Sequence, residues 1–150
     1  MIEINGIAHT ILTVSQFEAC ADFYKAWLPF VGMKMVFDGD DFCYHVGGRT
    51  AIGVQRCAPE YAGERFVQNR VGLHHLCLRA RSEADVDSLH EFLVGLNTKI
   101  DVPPAFGPWA PGYYFFVFED PDGTRLEINY VPGKGLLAEN SSFETGGHYA

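Results

Sequence analysis

The same order of predicted elements occurs twice along this 150-residue chain, and that repeat limits the possible folds more than any other feature. In the first half, a strand rich in β-branched residues precedes an amphipathic helix, which begins after Ser15 as a plausible N-cap. Three short strands follow, separated by turns that contain Asp or Gly. The predicted elements of this half are 7–14, 16–28, 33–37, 42–46 and 50–55.

The second half has the same order. A predicted strand precedes a helix with Ser82 as its N-cap, and a short strand and a hairpin come after them. Asp120-Pro121-Asp122-Gly123 forms the hairpin turn, because Pro fixes φ and Gly supplies a positive φ. The predicted elements are 71–80, 83–95, 97–102, 113–118 and 126–130.

Alignment of the halves supports a duplication. Placing His75 on His9 also brings the apolar helix positions Leu93 and Trp27 together. With a longer shift for its longer loops, the last strand places Glu127 on Gly53. The sequence therefore predicts an α+β fold in which two βαβββ modules pack together.

The predicted boundaries follow from the repeat. One domain covers 1–132, with modules at about 5–56 and 71–132, and the small polar residues of 133–150 form a C-terminal tail. The Pro/Gly-rich stretch 103–112 is predicted to be a loop, either a lid over a site or a rigid connector.

Composition excludes several functions. The net charge is −8 and no Lys/Arg cluster occurs, so neither nucleic acid nor an anionic membrane is an expected partner. We find no signal-peptide pattern, and no apolar run approaches the roughly 18 residues that span a bilayer. The four cysteines form no CxxC pair, which is typical of thiols in a reducing cytoplasm.

Three side chains are candidate metal ligands. His9 and His75 have matching places in the repeat, and alternation puts both on the strand face that the helices leave uncovered. Glu127 has the same parity on the last strand, where a carboxylate is costly to bury without a partner. Two imidazoles and one carboxylate suit Fe(II), Mn(II), Zn(II), Ni(II) or Co(II) and leave positions open for substrate. If the two sheets curve toward each other, these faces line one cup.

The segments IAHTILTV, GLHHLCLRA and EDPDGTRLEINY resemble the vicinal oxygen chelate superfamily, which includes glyoxalase I, extradiol dioxygenases and bleomycin resistance proteins. The resemblance implies paired βαβββ modules forming a curved mixed-sheet cup around one divalent metal ion, usually in a homodimer. It also implies His9, His75 and Glu127 as ligands, and it prefers His75 to His74, which points to the opposite strand face. A small oxygen-rich organic substrate is expected.

Two departures argue against particular members. Glyoxalase I resemblance requires a fourth ligand where this chain has Gly53, although Gln55 on the same face could bind a water or the substrate. Extradiol dioxygenase resemblance requires a tyrosine where this chain has Val117.

Further residues are candidates for catalysis or substrate binding. Glu127 or His45 could move a proton, although packing is the commoner role for a histidine such as His45. A charge, a side-chain amide or an aromatic ring makes several side chains candidates for contacting substrate. These are Arg79, Arg125, Gln55, Asn129, Trp109 and Tyr113.

Three functions remain open from the sequence. The first is a metal-dependent lyase, isomerase or oxygenase. The second is a non-catalytic protein that sequesters a ligand, as bleomycin resistance proteins do without a metal. The third is a degenerate module that serves as the dimer partner of another protein. Metal content separates the first from the second.

Overall fold

The computed structural model describes residues 1–143, which form two compact units. Unit 1 comprises Met1–Phe66 together with Pro121–Gly123, and unit 2 comprises Val67–Asp120 and the chain from Thr124 onward. Within 1–143, no helix has the length and apolar character needed to cross a membrane. Over the same residues, each unit contains one α-helix, one short 3₁₀ helix (Pro59–Tyr61 or Gly135–Leu137) and one four-stranded mixed sheet, so the predicted α+β fold of two βαβββ modules is confirmed.

Unit 1 contains the first module, with strand order β1-β4-β3-β2 and a parallel β1–β4 pair. Its helix packs against β4, and the predicted apolar stripe of the helix is buried. The elements are β1 (His9–Val14), α1 (Phe17–Trp27), β2 (Lys34–Asp38), β3 (Phe42–Val46) and β4 (Ala51–Arg56).

Unit 2 contains the second module, with strand order β5-β8-β7-β6 and a parallel β5–β8 pair. Val86, Leu89 and Leu93 on its helix are buried, and the helix packs against β6, β7 and β8. The elements are β5 (Leu76–Arg79), α2 (Glu83–Gly95), β6 (Ile100–Gly107), β7 (Tyr113–Glu119) and β8 (Arg125–Tyr130).

Strand register confirms the predicted alignment of the halves. Thr10 pairs with Ile52 in the first parallel pair, and Leu76 pairs with Leu126 in the second. Gly53 and Glu127 are therefore equivalent positions in their sheets.

The first half of the predicted loop 103–112 is strand, which corrects the sequence interpretation for residues 103–107. Strand β6 runs through Pro103 and Pro104 to Gly107. It is an edge strand, and its register against β7 shifts between Val102 and Ala105, where the prolines lie. Proline has no N–H to donate, and edge strands and bulges are the places where a sheet tolerates it.

The two helix starts differ. Ser82 caps α2 as predicted and accepts a hydrogen bond from the backbone N–H of Asp85 at 3.1 Å. Ser15 does not cap α1, because the N-cap residue is Gln16 and its side chain makes no capping bond. Instead, the carboxylate of Asp122 accepts hydrogen bonds from the backbone N–H groups of Ser15 and Gln16. The hairpin turn therefore caps a helix that is remote in sequence.

Candidate metal and substrate site

Glu127 is a buried carboxylate in the middle of the unit 2 sheet. It lies on β8 between Cys77 of β5 and Val117 of β7, and its residue is 1% exposed. Glu127 therefore does not lie on a solvated outer face of the sheet. A buried carboxylate needs hydrogen-bond donors or a cation nearby, because its desolvation is otherwise too costly.

The Tyr113 hydroxyl and the His75 ring both face the Glu127 carboxylate. The Tyr113 hydroxyl donates a hydrogen bond to Oε1 at 2.5 Å, and His75 Nε2 lies 3.4 Å from Oε2. Burial and the bond to Glu127 raise the pKa of Tyr113, so its phenol stays protonated and can keep donating. Burial and the nearby Glu127 charge also raise the pKa of the Cys77 thiol, which stays neutral.

A chain of polar contacts leads from Arg125 to His75. Arg125 Nη1 donates to Gln68 Oε1 at 2.9 Å, and Gln68 Nε2 lies 2.8 Å from His74 Nε2. His74 Nδ1 lies 2.7 Å from His75 Nδ1. Since β5 begins only at Leu76, strand alternation does not apply to the two histidines. The predictions that His75 lies mid-strand and that His74 points to the opposite face are therefore wrong.

Arginine can only donate hydrogen bonds, so Arg125 determines which group donates and which accepts in each of the following contacts. Gln68 must accept from Arg125 with its oxygen and donate to His74 Nε2 with its amide nitrogen. With both rings neutral, His74 then donates from Nδ1, and His75 carries its proton on Nε2, the atom that faces Glu127. Burial lowers the pKa of His75 and favours the neutral ring.

Arg125 and Arg79 were both predicted to contact substrate, but they differ in exposure and in their contacts. Arg125 also pairs with Asp101 Oδ2 at 3.1 Å, and its side chain is 12% exposed, which favours charge balance over substrate binding. Arg79 is exposed, and its Nε donates to Asn129 Oδ1 at 2.8 Å. Arg79 and Asn129 also face each other in the β5–β8 register.

Trp109 packs into the module rather than standing over it. Its ring lies 5.2 Å from the ring of Tyr113 and 5.1 Å from that of Phe115, measured between centroids. Its residue is 7% exposed. Trp109 thus supports the tyrosine that holds Glu127.

Three predicted site residues belong to unit 1. His9 is the first residue of β1 and is exposed. Gln55 Nε2 donates to the backbone oxygen of Asp41 at 3.0 Å. His45 is fully buried, and neither of its ring nitrogens has a hydrogen-bond partner within residues 1–143. Burial favours a packing role for His45, and its catalytic role stays a prediction.

The pair of His75 and Glu127 fits two ligands of one metal ion. Two ligand atoms about 2.1 Å from a metal at a tetrahedral angle lie about 3.4 Å apart. The separation of 3.4 Å between Nε2 and Oε2 agrees with that value, and it exceeds the usual N–H···O distance of about 2.9 Å. Among residues 1–143, however, no three His, Cys, Asp or Glu side chains form a group suited to a metal ion.

Sequence reasoning missed Gln68 and His74 as neighbours of the site. Gln68 lies in a connector without helical or strand periodicity, and His74 was excluded by an alternation that the local backbone does not follow. The adjacent histidine pair in GLHHL was the available signal, because two neighbouring rings outside a strand can contact each other.

Comparisons with known proteins agree with this architecture. An uncharacterized protein of Bacillus subtilis, YqjT, is 27% identical over 123 residues, which cover 80% of this chain and 94% of that protein. A solved glyoxylase/bleomycin resistance protein/dioxygenase domain from Frankia has a TM-score of 0.69 at 24% identity, covering 85% of this chain and 98% of its own. Lactoylglutathione lyase of Agrobacterium tumefaciens has a TM-score of 0.62 at 20% identity, with 85% and 94% covered.

The two solved structures support the fold alone, because their identities are low. The family is shown by a sequence model, which matches residues 6–128 and so spans both modules. The chain therefore belongs to the glyoxalase/bleomycin resistance protein/dioxygenase superfamily.

Proposed function

We propose that this protein is a divalent-metal-dependent enzyme with His9, His75 and Glu127 as ligands. Its substrate would be a small organic molecule that presents two neighbouring oxygens to the metal, for lyase, isomerase or oxygenase chemistry. The observation that carries the proposal is the buried Glu127 carboxylate, 3.4 Å from His75 Nε2. Such a carboxylate is stabilised by a nearby cation.

A bound divalent ion would supply Lewis-acid stabilisation for negative charge that develops on a substrate oxygen. Tyr113 holds Glu127 Oε1 through its hydroxyl, which leaves Oε2 directed at His75. For Nε2 of His75 to become a ligand, its proton must move to Nδ1, where His74 then accepts. His74 would carry its own proton on Nε2, so the Gln68 amide must turn its oxygen toward that proton and give up the bond from Arg125, which keeps its pair with Asp101. Gln68 and His74 are positioning residues in this proposal.

Metal analysis of the purified protein tests the proposal. We expect one divalent ion per site, with uptake of Mn(II), Co(II), Ni(II), Zn(II) or Fe(II) measurable by calorimetry after chelation. Glu127→Gln and His75→Ala should abolish uptake, whereas His90→Ala on α2 removes a histidine outside the site and should not. A protein that holds no metal and takes none up contradicts the proposal.

Gln68→Leu tests the chain of polar contacts behind His75. Loss of a residue that orients a ligand typically lowers metal affinity by about 10- to 100-fold. We expect a loss of this size from Gln68→Leu, read by competition with a chelating dye. Asn69→Leu, at an exposed neighbouring position, is the matched control.

The third ligand connects the site to a homodimer, which the superfamily resemblance implies. His9 can be supplied by the same chain or by a second copy. Mixing His9→Ala protein with His75→Ala protein distinguishes the two cases: only a shared site regains metal in the mixed dimer. Sedimentation first establishes whether a dimer forms, and a monomer that binds metal excludes the shared site.

A second candidate function is sequestration of an organic ligand without catalysis, as in the bleomycin resistance branch. The observation that favours it is that residues 1–143 contain no assembled group of three metal ligands. Ligand binding that is unaffected by chelation and by His75→Ala would support this function and contradict the enzyme.

A further inference from the structure

We propose that a cavity in unit 2 binds an organic carboxylate with an aromatic or branched apolar body, and that this is the substrate class of the site. The cavity has a volume of about 540 Å³, within the range of sites for small organic ligands. Its lining includes Arg79, Trp109, Tyr113, Lys134, Leu137 and Phe143.

The cavity is lined by positively charged side chains, although the net charge of the chain is negative. The protein carries 19 acidic and 11 basic residues, yet the cavity is lined by Arg79 and Lys134 and, within residues 1–143, by no acidic residue. Neither cation forms an ion pair with any residue in 1–143. A local positive field in an acidic protein attracts a small anion.

Arg79 is oriented for such an anion. Its Nε donates to Asn129 Oδ1 at 2.8 Å, which fixes the plane of the guanidinium and leaves the terminal nitrogens for another acceptor. A carboxylate matches these two parallel donors, whereas a neutral amide offers one oxygen and no charge. Lys134, on the segment after β8, adds a second positive charge.

The remaining walls are apolar. Trp109 and Tyr113 meet edge to face in the lining, and Leu137 and Phe143, which follow β8 in the chain, also line the cavity. Leu137 is 89% exposed and Phe143 is 59% exposed. An apolar ligand that covers these exposed side chains removes their apolar surface from water, which stabilises the complex.

Tyr113 joins the cavity to the buried carboxylate. Its ring lines the cavity, and its hydroxyl donates to Glu127 Oε1. An occupant in contact with this ring therefore lies near Glu127. Calling the occupant a substrate rests on the proposed function, whereas its binding does not.

The experiment uses three probes on the full-length protein, as purified and after chelation of metal. The probes are 4-phenylbutyrate, its neutral analogue 4-phenylbutanamide, and butyrate, which lacks the ring. We expect 4-phenylbutyrate to bind by calorimetry and to change tryptophan fluorescence, and the amide to bind about fivefold more weakly. Butyrate should bind more weakly still.

Charge-matched variants assign the preference to the cavity. Arg79→Gln with Lys134→Gln should make acid and amide bind equally, whereas Arg81→Gln with Lys99→Gln removes two positive charges elsewhere in unit 2 and should leave the preference unchanged. Trp109→Phe should remove the fluorescence change while calorimetry still detects heat. Equal binding of acid and amide to the native protein, or a preference that survives Arg79→Gln with Lys134→Gln, overturns the proposal.

The outcomes separate this inference from the proposed function. Carboxylate binding without any metal uptake supports the cavity and contradicts the metal-dependent enzyme. Metal uptake without a preference for the carboxylate contradicts the cavity proposal and leaves the metal site intact.

Discussion

The two modules have the same strand order and register, but they differ at one equivalent position. In the first sheet Gly53 lies between Ile11 and Tyr44, and in the second Glu127 lies between Cys77 and Val117. The two sheets thus have equivalent backbone positions at Gly53 and Glu127. The side chains around each position determine which residue it can hold.

Around Gly53 the place is filled by apolar side chains. A Cβ atom there would lie 2.5 Å from Ile11 Cδ1 and 2.8 Å from Phe42 Cε2. Around Glu127, by contrast, a tyrosine hydroxyl and a histidine nitrogen face the carboxylate. The comparison shows that duplication of a strand does not duplicate a ligand, because a buried carboxylate also requires its donors.

The largest expected effect comes from moving the carboxylate to the other module. Gly53→Glu places an unpaired charge beside Ile11, which is 43% exposed, and Phe42, which is half-buried, and we expect this partly desolvated charge to lower the free energy of unfolding by about 3 kcal/mol. Urea denaturation measures the loss.

Gly53→Ala is the matched control for size. It adds only the Cβ, whose close neighbours are the ends of flexible side chains, so a smaller cost of about 1–2 kcal/mol is expected. Equal losses for the two variants would mean that crowding, and not the missing donors, separates the modules.

The helix starts provide the next comparison. Asp122 accepts bonds from two backbone N–H groups, the Ser15 hydroxyl and Gln16 Nε2, and its side chain is 6% exposed. Ser82 accepts one exposed bond. We expect Asp122→Ala to cost about 2 kcal/mol and Ser82→Ala about 1 kcal/mol or less.

Urea denaturation of both variants gives the difference, and Asp122→Asn should lose less than Asp122→Ala because it keeps an acceptor oxygen. Equal costs for Asp122→Ala and Ser82→Ala would show that the remote cap contributes no more than the local one.

Much of the fold was predictable, because periodicity and turns are local signals. Helix α2 and its Ser82 cap were correct, and so was strand β3. The cap of α1 was not, because Asp122 is remote in sequence and only the folded chain brings it to Ser15. The prolines of β6 led to the prediction of a loop, because the sequence alone does not show that this strand lies at an edge, where proline is tolerated.

Only part of the candidate site was predictable from the sequence. The expectation that Glu127 needs a partner was correct, because the structure buries its carboxylate and gives it a hydrogen bond from Tyr113. The contacts through Gln68 and His74 were not predictable, because they depend on an irregular backbone before β5. The assignment of His9, His75 and Glu127 to one metal ion stays a prediction.

The smallest expected effect concerns His45, whose equivalent in the second module is Phe118: His45 pairs with Ile52, and Phe118 pairs with Leu126. Burial lowers the pKa of His45, while Asp38 and Lys25 act in opposite directions. The unfolded chain therefore binds this proton more readily, and stability should fall as the pH drops below about 6.5, by at most about 1.4 kcal/mol per pH unit.

His45→Phe removes this contribution to the pH dependence of stability. Burial also lowers the pKa of His75, but the contribution of His75 remains in both proteins. Urea denaturation at pH 7.5, 6.5 and 5.5 should thus show the variant gaining on the native protein toward acid, and parallel profiles would assign the proton uptake to another group.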